Sequence, residues 1–185
     1  MTAETINHPN PQTPIECPLI NVRRDWIDYN GHMNMAFYNV VFDKGVDHVF
    51  NGLGIGVDYM SNTNASCFTM EIHVTYAQEV MLDDPLRVTA QLLDADPKRL
   101  HLFLQMFHAQ KNYLAATMEQ MVLHVDLNER RGAPMPESVQ ANVQTLREAH
   151  DKLPIPSQVG SVIGIRRKPS ASASTAETEN TEGKN

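Results

Sequence analysis

Asp25-Trp26-Ile27-Asp28-Tyr29-Asn30-Gly31-His32-Met33-Asn34-Met35 joins a polar, turn-rich loop to the start of the long helix pattern in the first half of the chain. From Asn34 onward, Met35, Tyr38, Phe42, Val46 and Val49, with Val41, Phe50 and the small Gly45, recur at the three- and four-residue spacing of an apolar helical face. No proline interrupts the run before Gly52 and Gly54 end it. Asn34 is the predicted N-cap, so the first backbone N–H groups, around Met35 and Ala36, lack intrahelical partners and point toward the loop carrying Asp28. A polarising amide and a carboxylate are therefore expected close together.

That pairing suits acyl transfer to water. A carbonyl oxygen at the helix N-terminus gains negative charge as its carbon is attacked, and a preorganised amide stabilises that charge by about 2.7–4 kcal/mol in well-studied cases. Asp28 supplies either the base that deprotonates water or the nucleophile that forms a mixed anhydride, and both routes stay open. The plainer alternative is that Asp-x-Asn-Gly is ordinary turn chemistry and the carboxylate only complements the helix dipole.

Asp28-x-x-Gly31-His32-x-Asn34, followed by Phe37-Tyr38 and then Phe42-Asp43, resembles the signature of hotdog-fold acyl-CoA thioesterases of the 4-hydroxybenzoyl-CoA thioesterase type. The resemblance covers about residues 15 to 150. It implies an α+β hotdog fold, an antiparallel sheet wrapped around one long central helix, and hydrolysis of an acyl-CoA without a cofactor. It makes Asp28 the catalytic carboxylate and the backbone N–H of Met35 the group that polarises the thioester carbonyl, and its motif includes Asn34 and His32, which either binds substrate or acts as an acid, or holds the loop by bonding the backbone. Many relatives read Gly-His-x-Asn-Asn; Met35 replaces the second Asn here, which keeps a backbone role and removes a side-chain one.

Within that family, the Asp25–Asn34 stretch, with Ala116 to Met121 and Val125-Asp126, is most similar to betainyl-CoA thioesterases of carnitine breakdown. The expected substrate is accordingly betainyl-CoA, with another small or aromatic acyl-CoA, or binding of an acyl-CoA without turnover, as alternatives. A hydratase on the same fold is disfavoured, because the chain lacks the separate Asp and His arrangement downstream of the helix. A trimethylammonium cannot donate a hydrogen bond and is met by aromatic faces and nearby negative charge. Trp26 and Tyr29 bracket Asp28, and Phe37 and Tyr38 follow on the first helical turn, so these four rings are candidates for the acyl end, against the reading of them as core or contact residues. Asp43 is a further pocket-side candidate because the resemblance places an acid there, whereas Asp47 and His48 either line a pocket or face water. An open sheet edge makes the resemblance imply a homodimer or homotetramer with sites between subunits.

The 185-residue length fits one domain, and a net charge of −7 argues against nucleic acid as a partner. Arg23-Arg24, Arg130-Arg131 and Arg166-Arg167-Lys168 are the small basic clusters; they either meet coenzyme A phosphates or are solvated surface pairs. The N-terminus has neither a basic nor an apolar leader region, and nowhere do 18 consecutive apolar residues occur, so a cytoplasmic protein without a membrane partner is expected. Cys17 and Cys67 sit in apolar or strand-like settings and are expected to be reduced and not nucleophilic. His73, His101, His108 and His124 fall on strand patterns without metal-ligand spacing, so no metal site is expected, and Glu119 is either paired or close to the site.

Residues 1–14 are expected to be flexible, and 15–156 to form the domain, with an edge-type strand over Ile15 to Arg24 despite Pro18. Asn51 to Ser66 reads as a loop with a short turn of helix at Val57 to Met60. Strict alternation from Cys67 to Tyr76 predicts a strand. Leu86 to Leu93, Arg99 to Ala109 and Leu114 to Leu127, separated by Asp-Pro and Gln110-Lys111-Asn112 turns, extend it into an antiparallel meander. Pro136 opens a polar surface helix to about Lys152, and 157–185 is Ser-, Ala-, Thr- and Glu-rich, predicting a disordered tail.

Overall fold

The computed structural model describes residues 13–165. The expected flexible start lies outside them up to residue 12, as does the tail from residue 166. The long apolar pattern forms α1, Met35–Leu53, ended by Gly54 in the left-handed region at φ 83°. Seven strands form one antiparallel sheet: β1 (Ile15–Glu16), β2 (Ile20–Asn21), β3 (Ala65–Tyr76), β4 (Pro85–Ala95), β5 (Arg99–His108), β6 (Leu114–Asp126) and β7 (Arg131–Gly132). The short α2, Val57–Thr63, precedes β3, and α3, Glu137–His150, follows β7.

Alternation builds the inner face. Val88, Ala90 and Leu92 of β4 lie opposite Met106, Leu104 and Leu102 of β5, and all six are buried. Against them lies the buried face of α1: Tyr38, Val41, Phe42, Gly45, Val46, Val49 and Leu53. Gly45 marks the closest approach, since a Cβ there would stand 3.0 Å from Val88 Cγ1 and 3.3 Å from Leu104 Cδ2. Each fully buried aliphatic or aromatic side chain of this interface contributes on the order of 1.5–3 kcal/mol, which outweighs any propensity lost by glycine within a helix.

Several expectations need correction. The edge strand over Ile15 to Arg24 is two short pieces, both on β4, separated around Pro18, which has no N–H to give the ladder; a turn of 3-10 helix at Arg24–Trp26 follows. Only β4, β5 and β6 form a meander. β3 pairs with β6 at the opposite edge, so residues 77–84 cross between sheet edges, pinned by the fully buried Val80, whose carbonyl accepts from Met33 N at 2.9 Å. The polar C-terminal helix is only half a surface helix: Val139, Val143, Leu146 and His150 form a buried stripe, and His150 Nδ1 accepts from Leu92 N at 2.8 Å. The segment after it is folded onto the outer sheet face up to residue 161, where Gly160 N donates to Glu119 Oε2 at 2.7 Å and Val159 N to Pro156 O at 3.1 Å, although the tail was expected from residue 157.

Filling the close approach should be costly: Gly45→Leu forces the helix off Val88 and Leu104, and urea denaturation should show a loss of about 1–3 kcal/mol or more. Burial pushes the Cys17 thiol up to about 12 and the Cys67 thiol up to about 11. Iodoacetamide at pH 8 should therefore leave both thiols unmodified in the folded protein and label them in urea; rapid labelling in native buffer would contradict this burial.

Candidate active site

Residues 26–34 fold into a small hairpin that returns the chain to the start of α1. Ile27 and Met33 form an antiparallel bridge, Asn34 N donates to Trp26 O at 2.9 Å, and Asp28 N donates to His32 O at 3.1 Å. Gly31 closes the tip with its N–H on Asp28 O at 3.0 Å and a φ of 87°, a conformation that favours glycine. Asp28, partly exposed at the tip, accepts from Asn30 N through Oδ1 at 2.8 Å. The Asx turn thus holds one carboxylate oxygen and orients the other.

The helix start divides its orphan amides unevenly. Asn34 Oδ1 accepts from Ala36 N at 3.0 Å, as the N-cap reading expects, and Phe37 N donates to Asn34 O at 3.0 Å. Met35 N–H is left as the one of the first three helical amides without a partner among the described residues. It stands on an exposed first turn, at the positive end of a 19-residue helix. A carbonyl oxygen placed on this amide would receive a hydrogen bond that no protein group competes for.

His32 and Asn34 have structural engagements. His32 Nδ1 lies 3.4 Å from Met33 O, and the Asn34 side chain is committed to its cap. Among the aromatic candidates, Trp26 is buried: its ring stacks on Phe37 at 5.7 Å with the planes 14° apart, and the Arg23 guanidinium lies 5.6 Å from its centre. Tyr38 is buried too, edge-on to Tyr76 at 5.1 Å. Phe37 is half-buried, and Tyr29, 96% exposed, is the ring of the four that solvent reaches freely. Tyr76 escaped the sequence reading. Its hydroxyl donates to Met35 O at 3.3 Å, which ties the end of β3 to the helix start; alternation marks it as a strand residue, and nothing in the pattern says what it touches.

Beyond this start, α1 and the inner face of β3 and β6 border an open groove of about 280 Å³ lined by Asn39, Val40, Asp43, Thr69, Ile72, Met118 and Gln120. Asp43, an exposed residue of α1, is on the rim of this groove. Asp47 lines a separate cavity with Lys44 and His48; its pKa is raised by burial and then by the Asp43 carboxylate, against a lowering by Lys44. Asn39 and Gln120 were not found from sequence, where an Asn in a helix and a Gln in a strand carry no signal.

Three of the four strand histidines are tied to neighbours. His101 Nε2 lies 2.8 Å from Glu119 Oε1, His108 Nε2 lies 3.2 Å from Asp84 Oδ1, and His124 bridges Tyr59 Oη and Ala133 O at 2.8 Å each. Glu119 is therefore a paired residue of the outer face. Of the basic clusters, Arg23 pairs with Asp25 at 2.9 Å and Arg131 with Glu129 at 3.6 Å, while Arg166 to Lys168 lie outside the described residues.

Comparison with known proteins fits this geometry. Residues 22–143 match the model of the thioesterase-like superfamily. A betainyl-CoA thioesterase of Pseudomonas aeruginosa is 38% identical over 153 residues, covering 83% of this chain and 94% of that protein. An L-carnitine dehydrogenase/betainyl-CoA thioesterase of Rhizobium sp is 36% identical over 77% of this chain, which spans 28% of that longer protein. Among solved structures, a hypothetical protein of Staphylococcus aureus in complex with CoA superposes with a TM-score of 0.78 at 31% identity, covering 84% of this chain and 97% of that one. With the family match spanning most of the fold and the hairpin, helix start and sheet arranged as described, this chain belongs to the thioesterase-like superfamily.

Proposed function

We propose that this protein hydrolyses betainyl-CoA to betaine and coenzyme A, as part of carnitine breakdown. The observation that carries the reading is the unpartnered Met35 N–H at the start of α1, next to a hairpin that presents Asp28. The similar Pseudomonas aeruginosa protein, matched over 94% of its length, supports the choice of substrate. In the reaction, the thioester carbonyl oxygen rests on Met35 N–H and gains charge as its carbon is attacked. Asp28 either takes the proton from the attacking water or attacks the carbon itself and is released from the anhydride by water. In both routes the C–S bond breaks, coenzyme A leaves as the thiol, and the acid leaves as carboxylate.

The working form in this reading is a homodimer or an assembly of dimers. β3 is a 12-residue strand at the sheet edge, and it exposes Phe68 by 49% and Met70 by 60%. A long, apolar, unpaired edge of this kind is completed by a second copy. Both cysteines are free, and no described helix is long and apolar enough to cross a membrane; the cytoplasm is the compartment we propose.

Asp28→Asn keeps the shape of the hairpin while removing the charge, so kcat on betainyl-CoA should fall by at least about a hundredfold with the denaturation midpoint little changed. An unchanged kcat would take Asp28 out of the mechanism. Light scattering should give a mass of two or four chains, and a monomer at working concentration would contradict the completed β3 edge.

A further inference from the structure

We propose that Asn39 and Gln120, together with Asp43, form the subsite that selects the acyl group, reading a compact cationic end through oxygens that no described residue of the chain satisfies. Two buried side-chain oxygens at the same groove, Asn39 Oδ1 and Gln120 Oε1, lack a hydrogen-bond partner among the described residues. Gln120 is 4% exposed, and its amide is held by donation from Nε2 to Thr69 Oγ1 at 2.8 Å, which leaves Oε1 the free end. Buried acceptors are rarely left unmet in a folded protein, so two in one groove beside a carboxylate point to a ligand that supplies positive charge there.

Position agrees with chemistry. Asn39 and Asp43 lie one and two turns along α1 from Met35, about 6 and about 12 Å at the helical rise per residue. With the carbonyl on Met35 N–H, a cation two bonds beyond it comes within reach of Asn39 one turn along, while Asp43, a turn farther, acts on it through its charge and not by contact. A trimethylammonium two bonds from the carbonyl carbon spreads its charge over methyl hydrogens, which suit carbonyl oxygens and the apolar Val40, Ile72 and Met118 better than donors would. The buried Trp26, already covered by Phe37 and Arg23, offers no such face. In this reading the acceptors and the carboxylate add to whatever face the exposed Tyr29 ring presents to the cation.

The inference rests on the betainyl-CoA reading, and one comparison separates the two. 3,3-Dimethylbutanoyl-CoA has the shape of betainyl-CoA with carbon in place of the charged nitrogen. The wild type should favour betainyl-CoA over it in kcat/KM, measured by free-thiol release. Asn39→Leu and Gln120→Met should each lower that ratio at least about tenfold. Asn39→Asp, which keeps size and adds charge, should raise it, a result that a merely structural role would not give and that decides the matter if the apolar variants fold poorly. A wild type without preference for betainyl-CoA overturns both the substrate and the subsite. A wild-type preference that these variants leave unmoved, or that Asn39→Asp reduces, overturns the subsite alone.

Discussion

The close contact of α1 with the sheet at Gly45 is the constraint on which the rest of the molecule depends. A helix of 19 residues can lie this near Val88 and Leu104 only where it carries no side chain at the point of contact, and the buried Val41, Phe42, Val46 and Val49 then pack on either side. Several burials of about 1.5–3 kcal/mol each far exceed the roughly 1 kcal/mol of a helix cap. Packing therefore decides where the helix lies. The cap decides only which of its amides remain open.

That division of roles shapes the candidate site. With the helix fixed, its N-terminus meets the end of β3, where Tyr76 hydroxyl holds Met35 O, and the hairpin over residues 26–34 is returned to the same place by its bridge and by Met33 N on Val80 O. Asn34 consumes the Ala36 amide and its own carbonyl consumes that of Phe37. What is left is one preorganised donor, and an open amide at the positive end of a helix is stabilised by whatever negative charge develops near it. In the proposed reaction the donor belongs to the backbone, so the Met35 side chain has no part in it.

The same seating of α1 turns Asn39 and Asp43 toward the inner face of β3 and β6, and with Gln120 and Thr69 they give the groove its polarity. Its apolar walls come from the strand alternation that also builds the core. β3 serves twice: its inner residues form one wall of the groove, and its unpaired edge is the place at which a second chain completes the sheet in the proposed dimer.

The sequence alone determined the elements whose information is local. The three- and four-residue spacing from Met35, the Asn34 cap, the glycine stop and the alternation of β3 through β6 are set by neighbours along the chain, and α1 and the strands appear where those patterns put them. The Asp28 turn was readable for the same reason, since Asx and glycine geometry act within four residues. Only the tertiary structure decided what depends on contacts distant in sequence: that β3 joins β6 instead of β4, that α3 buries a stripe on β4, that Trp26 and Tyr38 are enclosed, and that Asn39 and Gln120 share a groove. Strand order and side-chain surroundings arise from the packing of whole faces, whose free energy is shared among many residues and leaves no mark at any one position.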